Sequence, residues 1–252
     1  MLSNKIIFIT GATAGFGLAC VKLFIKNGAK VIATGRREDR LAELQKEFGD
    51  NIHVIKLDVR DKVAVKTAIE KLPEKFSEVD ILINNAGLAL GLSSFDKQSE
   101  EDLEQMVETN IMGVINCTHA LLPAMIARNN GHIVNLSSIA GTYPYPGGNV
   151  YGATKAFVTQ FSLNLRADVL GKNIRITNIE PGMCDTEFST VRFKGDKDRA
   201  DTIYAGMKPL TADDIAETIF WTLSRPAHVN INRVEIMPTE QAFSPFAVSR
   251  KT

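Results

Sequence analysis

The stretch Ile6-Ile7-Phe8-Ile9-Thr10-Gly11-Ala12-Thr13-Ala14-Gly15-Phe16-Gly17 decides the fold. Its first four residues are a continuous apolar run, the pattern of a short strand buried on both faces. From Gly15 to Lys26 the apolar residues Leu18, Val21, Phe24 and Ile25 recur at helical spacing, and Gly28 follows where a helix C-terminus favours glycine. Between strand and helix the glycines are spaced GxxxGxG. Glycine there permits a tight turn and lets the backbone approach a pyrophosphate at the positive end of the helix. A glycine cluster by itself can mark a turn and nothing more. Strand before and helix after are the context a phosphate loop requires.

The same alternation continues outward from this unit. Val31–Ala33 is the next apolar run, then a charged helix through Leu41 and Leu44; Ile52–Leu57, Val79–Ile83, His132–Leu136 and Ile174–Ile179 read as further buried strands with helical segments between them. Short apolar strands alternating with helices imply a parallel sheet covered on both faces. Right-handed crossovers then make the fold doubly wound. No repeat, low-complexity tract or linker divides residues 1–252, so the expectation is a single-domain α/β Rossmann fold.

Composition excludes several classes of function. Lys plus Arg and Asp plus Glu both number 29, so neither a nucleic-acid-binding excess nor an acidic solvating tail is present. The apolar run within Met1–Thr10 ends at Gly11, too short for a membrane span and without the basic start and cleavage site of a secretory leader. Cys20, Cys117 and Cys184 are odd in number and far apart, which suits a reducing compartment, and the four histidines are equally scattered. The expectations are a cytoplasmic protein with no metal, no membrane and no nucleic-acid partner.

The end of the second strand bears on the cofactor. Dinucleotide sites for NAD place an acid there to accept from the ribose 2′-hydroxyl, and that acid repels a 2′-phosphate. Here Thr34 leads into Gly35-Arg36-Arg37, with no acid before Glu38. Arginine is the side chain best shaped to grip a phosphate. Two solvated arginines opening a helix are the bland alternative, though cations there oppose the helix dipole. The pattern favours NADP.

Tyr151-Gly152-Ala153-Thr154-Lys155 puts a phenol and an ammonium four residues apart on one helix face. A phenol titrates near 10, too high for efficient proton exchange at neutral pH, and a nearby cation lowers that value. YxxxK also arises by chance. Three strand ends at the carboxyl edge, where doubly wound sheets bind ligands, carry matching small or polar residues: Ser137 and Ser138, Asn84-Asn85-Ala86-Gly87, and Pro181-Gly182.

With these residues in view, the chain resembles the short-chain dehydrogenases/reductases from Lys5 to about Met237. The matching motifs are TGATAGFG at 10–17, DV at 58–59 (Asp58, Val59), NNAG at 84–87, Asn110, Ser138, YGATK at 151–155 and PGMCDT at 181–186. The resemblance implies a seven-stranded sheet with Asn230–Met237 as its last strand, and it implies roles. Ser138 polarises the substrate oxygen, Tyr151 exchanges the proton, Lys155 binds the nicotinamide ribose and lowers the phenol's pKa, and Asn110 anchors a relay water. Cofactor contacts fall to Gly11, Thr13, Gly15, Phe16, Gly17, Arg36, Arg37, Asp58 (on the adenine amino group), Val59, Asn85, Ala86, Gly87, Pro181, Gly182 and Thr186 (on the carboxamide), with Cys184 near the nicotinamide. It further implies helices around 101–128 and 151–170 paired across a two-fold axis in a homotetramer; the stripe Phe157, Phe161, Leu165 is core or part of that interface.

A narrower resemblance is carried by GGNVYGATKAF at 147–157, EFSTVRFKGD at 187–196 and PAHVNIN at 226–232. These are similar to the NADP-dependent 3-hydroxy acid dehydrogenases that oxidise serine and allo-threonine and also take 3-hydroxypropionate, 3-hydroxyisobutyrate or the matching semialdehydes. Arg192 and Lys194 follow the nicotinamide segment in a substrate lid expected at about 187–210, and a carboxylate substrate needs such a cation. Both could also be surface charges on a mobile loop, and His228 reads as structural. The alternatives are a 3-oxoacyl thioester reductase, a general carbonyl reductase, or a catalytically silent NADP sensor, which would be expected to lack the tyrosine or lysine.

Overall fold

The computed structural model describes residues 2–250. β1 (Ile6–Ile9), α1 (Gly15–Lys26), β2 (Lys30–Gly35), α2 (Glu38–Phe48), β3 (Ile52–Lys56), α3 (Lys62–Glu70) and β4 (Ile81–Asn84) form the first half. The second half runs α4 (Glu100–Val107), α5 (Gly113–Arg128), β5 (Gly131–Leu136), α6 (Asn149–Asp168), β6 (Ile174–Pro181), α7 (Glu187–Arg192), α8 (Lys197–Thr202), α9 (Ala212–Leu223) and β7 (Arg233–Ile236). All pairings are parallel, in the order β3-β2-β1-β4-β5-β6-β7. The doubly wound seven-stranded sheet expected from the sequence is present. Its winding reverses between β1 and β4, which opens a crevice at their carboxyl ends.

Alternation within the strands divides the core in two. Ile7 and Ile9 face one side with Val31, Ala33 and Ile83, covered by α1 and α9, whose Phe24 and Phe220 rings lie 6.4 Å apart. Phe8, Ile32, Leu82, Ile133 and Ile176 face the other side, against Cys117, Leu121 and Met125 of α5 and Leu165 of α6. Each strand is therefore apolar on both faces, and this is why the runs are continuous rather than alternating.

Every strand after β1 differs from expectation at a boundary: β2, β5 and β6 extend their apolar runs by one or two residues at one or both ends, and the other differences lie in β3, β4 and β7. β3 ends at Lys56 rather than Leu57. β4 begins at Ile81 because Asp80 turns its carboxylate onto the Ile6 amide (3.0 Å) and the Lys5 ammonium (2.8 Å). β7 is four residues long inside the expected Asn230–Met237, since the Asn230 side chain is bonded across to Ile176 before the ladder starts. The helix expected around 101–128 is interrupted by a π-turn, Glu108–Met112. Residues 100–128 contain an 18-residue window with a mean hydropathy of 1.3, apolar enough to cross a membrane by length and composition alone. Here they pack on the sheet through Leu121 and Met125, leaving Val107, Met112 and Ile126 exposed.

Candidate active site

The carboxyl edge is cross-braced before any ligand is considered. Asn84 and Asn135 are in register on β4 and β5, and the Asn84 amide donates to Asn135 (2.8 Å) and to Thr118 of α5 (3.0 Å). Asn135 in turn donates to Ser162 of α6 at 2.8 Å. These buried amides make the close directional bonds that burial demands, so strands and helices meet at fixed heights.

Above that brace the glycine loop folds over β1. Gly11 and Gly15 have φ of +66° and +50°, the left-handed region that glycine enters at little cost. A Cβ on Gly17 would lie 2.4 Å from the Gly11 carbonyl and 2.6 Å from the Asn85 amide. Asn85 donates to the Thr10 and Gly11 carbonyls (2.8 and 3.1 Å), and the Thr10 hydroxyl accepts from the Asn85 and Ala86 amides. Loop and NNAG segment are thus one unit. Ala14 precedes α1 in extended conformation with no side-chain cap, leaving the first helical N–H groups to an outside acceptor. A cleft of about 400 Å³ runs from this loop along the sheet edge and is lined by every cofactor and catalytic residue named from the sequence except Gly17, which packs beneath the loop, and Asn110, which braces it from behind.

At the adenosine end, Arg36 is exposed at the rim and Arg37 is half-buried, with its Nε donating to the Thr13 hydroxyl at 3.0 Å. No acid competes locally in sequence, yet one arrives from elsewhere. The Glu187 carboxylate accepts from Arg37 (2.8 Å) and from Arg40 (2.6 Å). Burial alone pushes that carboxyl up, but hydrogen bonds from Arg37 and Arg40 outweigh it and hold it below the usual range. Asp58 lines the cleft with its carboxylate gripped by Arg60 at 2.7–3.0 Å, which keeps it well ionised.

At the other end α6 presents Tyr151 and Lys155 one turn apart, 9% and 5% exposed. The Lys155 ammonium donates to the Leu136 carbonyl at 2.7 Å, pinning it to the end of β5. It lies 5.8 Å from the centre of the Tyr151 ring. Ser138, just beyond β5, lines the same cleft as the phenol; its hydroxyl donates to the Pro181 carbonyl at 3.4 Å and accepts from the Ala140 amide at 3.1 Å. A Cβ on Gly87 would stand 3.3 Å from both the Lys155 Nζ and the Asn110 Oδ1, so glycine keeps that channel open.

The Asn110 side chain is fully engaged. It accepts from the Leu88 amide and donates to the Leu88 carbonyl and the Thr154 hydroxyl, all within 3.0 Å. It sits on the π-turn, buried behind the cleft.

Burial dominates the titration of the pair. It pushes the Tyr151 phenol up to about 12 against the lowering pull of Arg192, and it pushes the Lys155 ammonium down to about 8. Two cations face the ring: Lys155, expected from the sequence to lower the phenol, with its Nζ 5.8 Å from the ring centre, and Arg192, which lowers it from α7.

Arg192 is the sequence-named cation that reaches the site. Its guanidinium lies 5.1 Å over the Tyr151 ring and 5.2 Å over Phe188, and its Nη2 donates to the Tyr145 hydroxyl at 3.1 Å. Its Nε is buried with no partner. Lys194, two residues on, does not reach the site: it turns away at φ +53° and pairs with Asp102 at 2.8 Å. Thr186 caps α7 through the Phe188 amide and lies 3.6 Å from where a Gly15 Cβ would be. His228 is exposed and outside the cleft, and Cys184 is buried with its thiol pushed up by burial.

Several lining residues were missed by the sequence reading: Tyr145, Phe188, Tyr204, Gln241 and Phe246. Tyr145, six residues before Tyr151 in the glycine- and proline-rich run at 143–148, carried a local signal. The others are brought in only by the chain crossing the sheet edge. Among the described residues no cluster of histidine, cysteine and carboxylate side chains could hold a metal.

Comparison with known proteins agrees with this geometry. The family model for the short chain dehydrogenases matches residues 5–197. The chain is 52% identical over 247 residues to the NADP-dependent 3-hydroxy acid dehydrogenase YdfG of Escherichia coli, covering 98% of this chain and 100% of that protein. It is 52% identical over 246 residues to a serine 3-dehydrogenase of Agrobacterium fabrum, covering 98% of each. Among solved structures it is similar to the closed form of serine dehydrogenase complexed with NADP+, with a TM-score of 0.94 and 52% identity over 98% of this chain and 100% of that one.

Proposed function

The chain belongs to the short chain dehydrogenase family, and from that premise we propose that it is an NADP-dependent oxidoreductase acting at C3 of a small 3-hydroxy acid or the matching semialdehyde or 3-oxo acid. Serine, allo-threonine, 3-hydroxypropionate and 3-hydroxyisobutyrate are the candidate substrates. One observation carries the substrate class: a guanidinium with an unpartnered, buried Nε stands directly over the ring of the candidate acid/base, where a carboxylate two bonds from the reacting carbon would lie. High identity to 3-hydroxy acid and serine dehydrogenases supports the same reading.

The cleft fits the cofactor in its own terms. Uncapped N–H groups at α1, a glycine loop too close-packed for Cβ atoms and two rim arginines match a pyrophosphate and a 2′-phosphate. NADP, when bound, supplies or accepts the hydride at its nicotinamide ring. Ser138 donates to the substrate oxygen, and Tyr151 takes the hydroxyl proton on oxidation and returns it on reduction. Lys155 spends one proton on Leu136 and keeps two for the ribose hydroxyls. Asn110 acts as a positioning residue, holding Leu88 and Thr154 so that the channel past Gly87 stays open. α7 and α8 with their flanking residues, about 187–210, serve as the substrate lid.

The test is a panel with NADP and each hydroxy acid beside an uncharged alcohol, followed through nicotinamide absorbance. Turnover confined to uncharged alcohols would refute the substrate class. The same assay checks the cofactor. NADP is expected to be preferred over NAD by at least about tenfold, equivalent to about 1.4 kcal/mol. Replacing Arg36 and Arg37 with neutral residues removes that preference, and equal use of NAD by the unaltered protein would contradict it.

Assembly follows from the exposed apolar residues of two helices. The exposure of Val107, Met112 and Ile126 along 100–128, and of Leu163 on α6, supports pairing of these helices with those of a second copy. A homotetramer is expected in solution, and a monomeric mass at micromolar concentration would overturn it.

A further inference from the structure

Glu187 opens α7 and lines the cleft beside Thr186, and its contact serves no step of the reaction. One carboxylate bridges two guanidiniums, Oε2 to Arg37 at 2.8 Å and Oε1 to Arg40 at 2.6 Å. Both arginines are in turn anchored on Thr13, Arg37 through the hydroxyl at 3.0 Å and Arg40 through the carbonyl at 3.2 Å. The bridge therefore ties the lid at Glu187 to the phosphate loop by way of Arg37, which lies 150 positions away in sequence. Next to Glu187, Phe188 lies 5.6 Å from the Tyr151 ring; at the far end of α7 Arg192 lies over that same ring, and the Gly91 amide donates to the Arg192 carbonyl at 2.9 Å. Six helical residues span about 9 Å, so α7 is a short rigid strut from the cofactor's phosphate end to the substrate end.

Ion pairs this exposed add little to global stability. Their effect falls on opening, because the two walls they join cannot separate while the pairs are made.

We propose that Glu187 is a positioning residue whose carboxylate latches α7 to Arg37 and Arg40, gating passage of the dinucleotide and holding Arg192 over Tyr151. Only the second effect rests on Arg192 being the carboxylate anchor. A latch differs from a binding contact in its kinetics. Breaking a latch speeds both entry and exit, whereas losing a direct contact speeds exit alone.

The experiment measures NADPH association and dissociation by stopped-flow fluorescence for the whole protein, Glu187→Gln and Arg40→Gln, and the double variant. Glutamine is isosteric with glutamate, and unchanged melting temperatures confirm that each variant folds. Both rates are expected to rise roughly two- to tenfold in each single variant, the range set by two half-exposed ion pairs. The double variant should be no faster than Glu187→Gln, which already breaks both pairs, whereas Arg40→Gln leaves the Arg37 pair in place. Unchanged rates, or faster dissociation with unchanged association, would overturn the latch. A substrate arm separates the two readings: the KM for 3-hydroxypropionate should rise in Glu187→Gln while that for an uncharged alcohol stays. Faster rates with both KM values raised equally would support the latch and count against Arg192 as the carboxylate anchor.

Discussion

Tyr151→Phe is expected to lower turnover by roughly a hundredfold or more, the scale of losing a positioned general acid/base, while NADPH binding is retained. The variant keeps the ring, which is what the surroundings pack against: Leu88, Leu90, Met106 and Ala140 form its cluster, and Phe188 tilts against it at 5.6 Å. Only the hydroxyl is lost, and with it the proton. Ser138 still donates to the Pro181 carbonyl, so no buried donor is stranded. Lys155 remains held by Leu136, and the ribose contacts proposed for it survive. Lys155→Met should therefore contrast, impairing cofactor binding and turnover together. Stopped-flow turnover and fluorescence titration of NADPH on the two variants distinguish the cases. A phenylalanine variant that kept a large share of normal turnover would show that another group moves the proton.

Arg192→Ala is expected to raise the KM for 3-hydroxypropionate or serine by roughly ten- to a hundredfold, the equivalent of one charge-assisted hydrogen bond of about 1.5–3 kcal/mol. The KM for an uncharged alcohol should change little, as should cofactor affinity. A second effect is predictable in sign. Arg192 is the cation that lowers the Tyr151 phenol against the burial that raises it to about 12. Without it the phenol rises further, so the pH profile for oxidation moves to higher pH for charged and uncharged substrates alike. The two effects separate because one appears in the KM of acids and the other in the pH dependence of every substrate. Equal KM increases for both classes would leave Arg192 as a lid residue whose cation serves the phenol alone.

The division between what was legible and what was not follows the range of the interactions involved. Six of the seven strands, the helices between them and the glycine loop were readable because each is written in a local period: continuous apolar runs for strands buried on both faces, three- and four-residue spacing for helices; the seventh strand came only with the family resemblance. Tyr151 and Lys155 were readable for the same reason, since one helical turn fixes them side by side whatever the rest of the chain does. Ser138, Asn110 and the cofactor residues followed from motifs that recur as whole segments. Element ends were shifted where side chains intervened, as when Asp80 captured the Ile6 amide and delayed β4. In sequence Arg192 is favoured over Lys194 only because a guanidinium can bind a carboxylate bidentately, not by position, since both are cations of one segment. Only the close of α7 at Arg192 and the left-handed turn at Lys194 decided that one faces Tyr151 and the other Asp102. Glu187 on Arg37 and Arg40, Tyr145 on Arg192, and the burial that drives Tyr151 and Lys155 apart in pKa were not legible at all. By itself the sequence determined the sheet, the phosphate loop and the phenol–ammonium pair, because backbone periodicity and one-turn spacing act within a few residues. The tertiary structure alone decided which cation meets the phenol and which acid meets the arginines, because those contacts join residues up to about 150 positions apart, and they exist only once the segment after β6 has folded back across the sheet edge and excluded water from it.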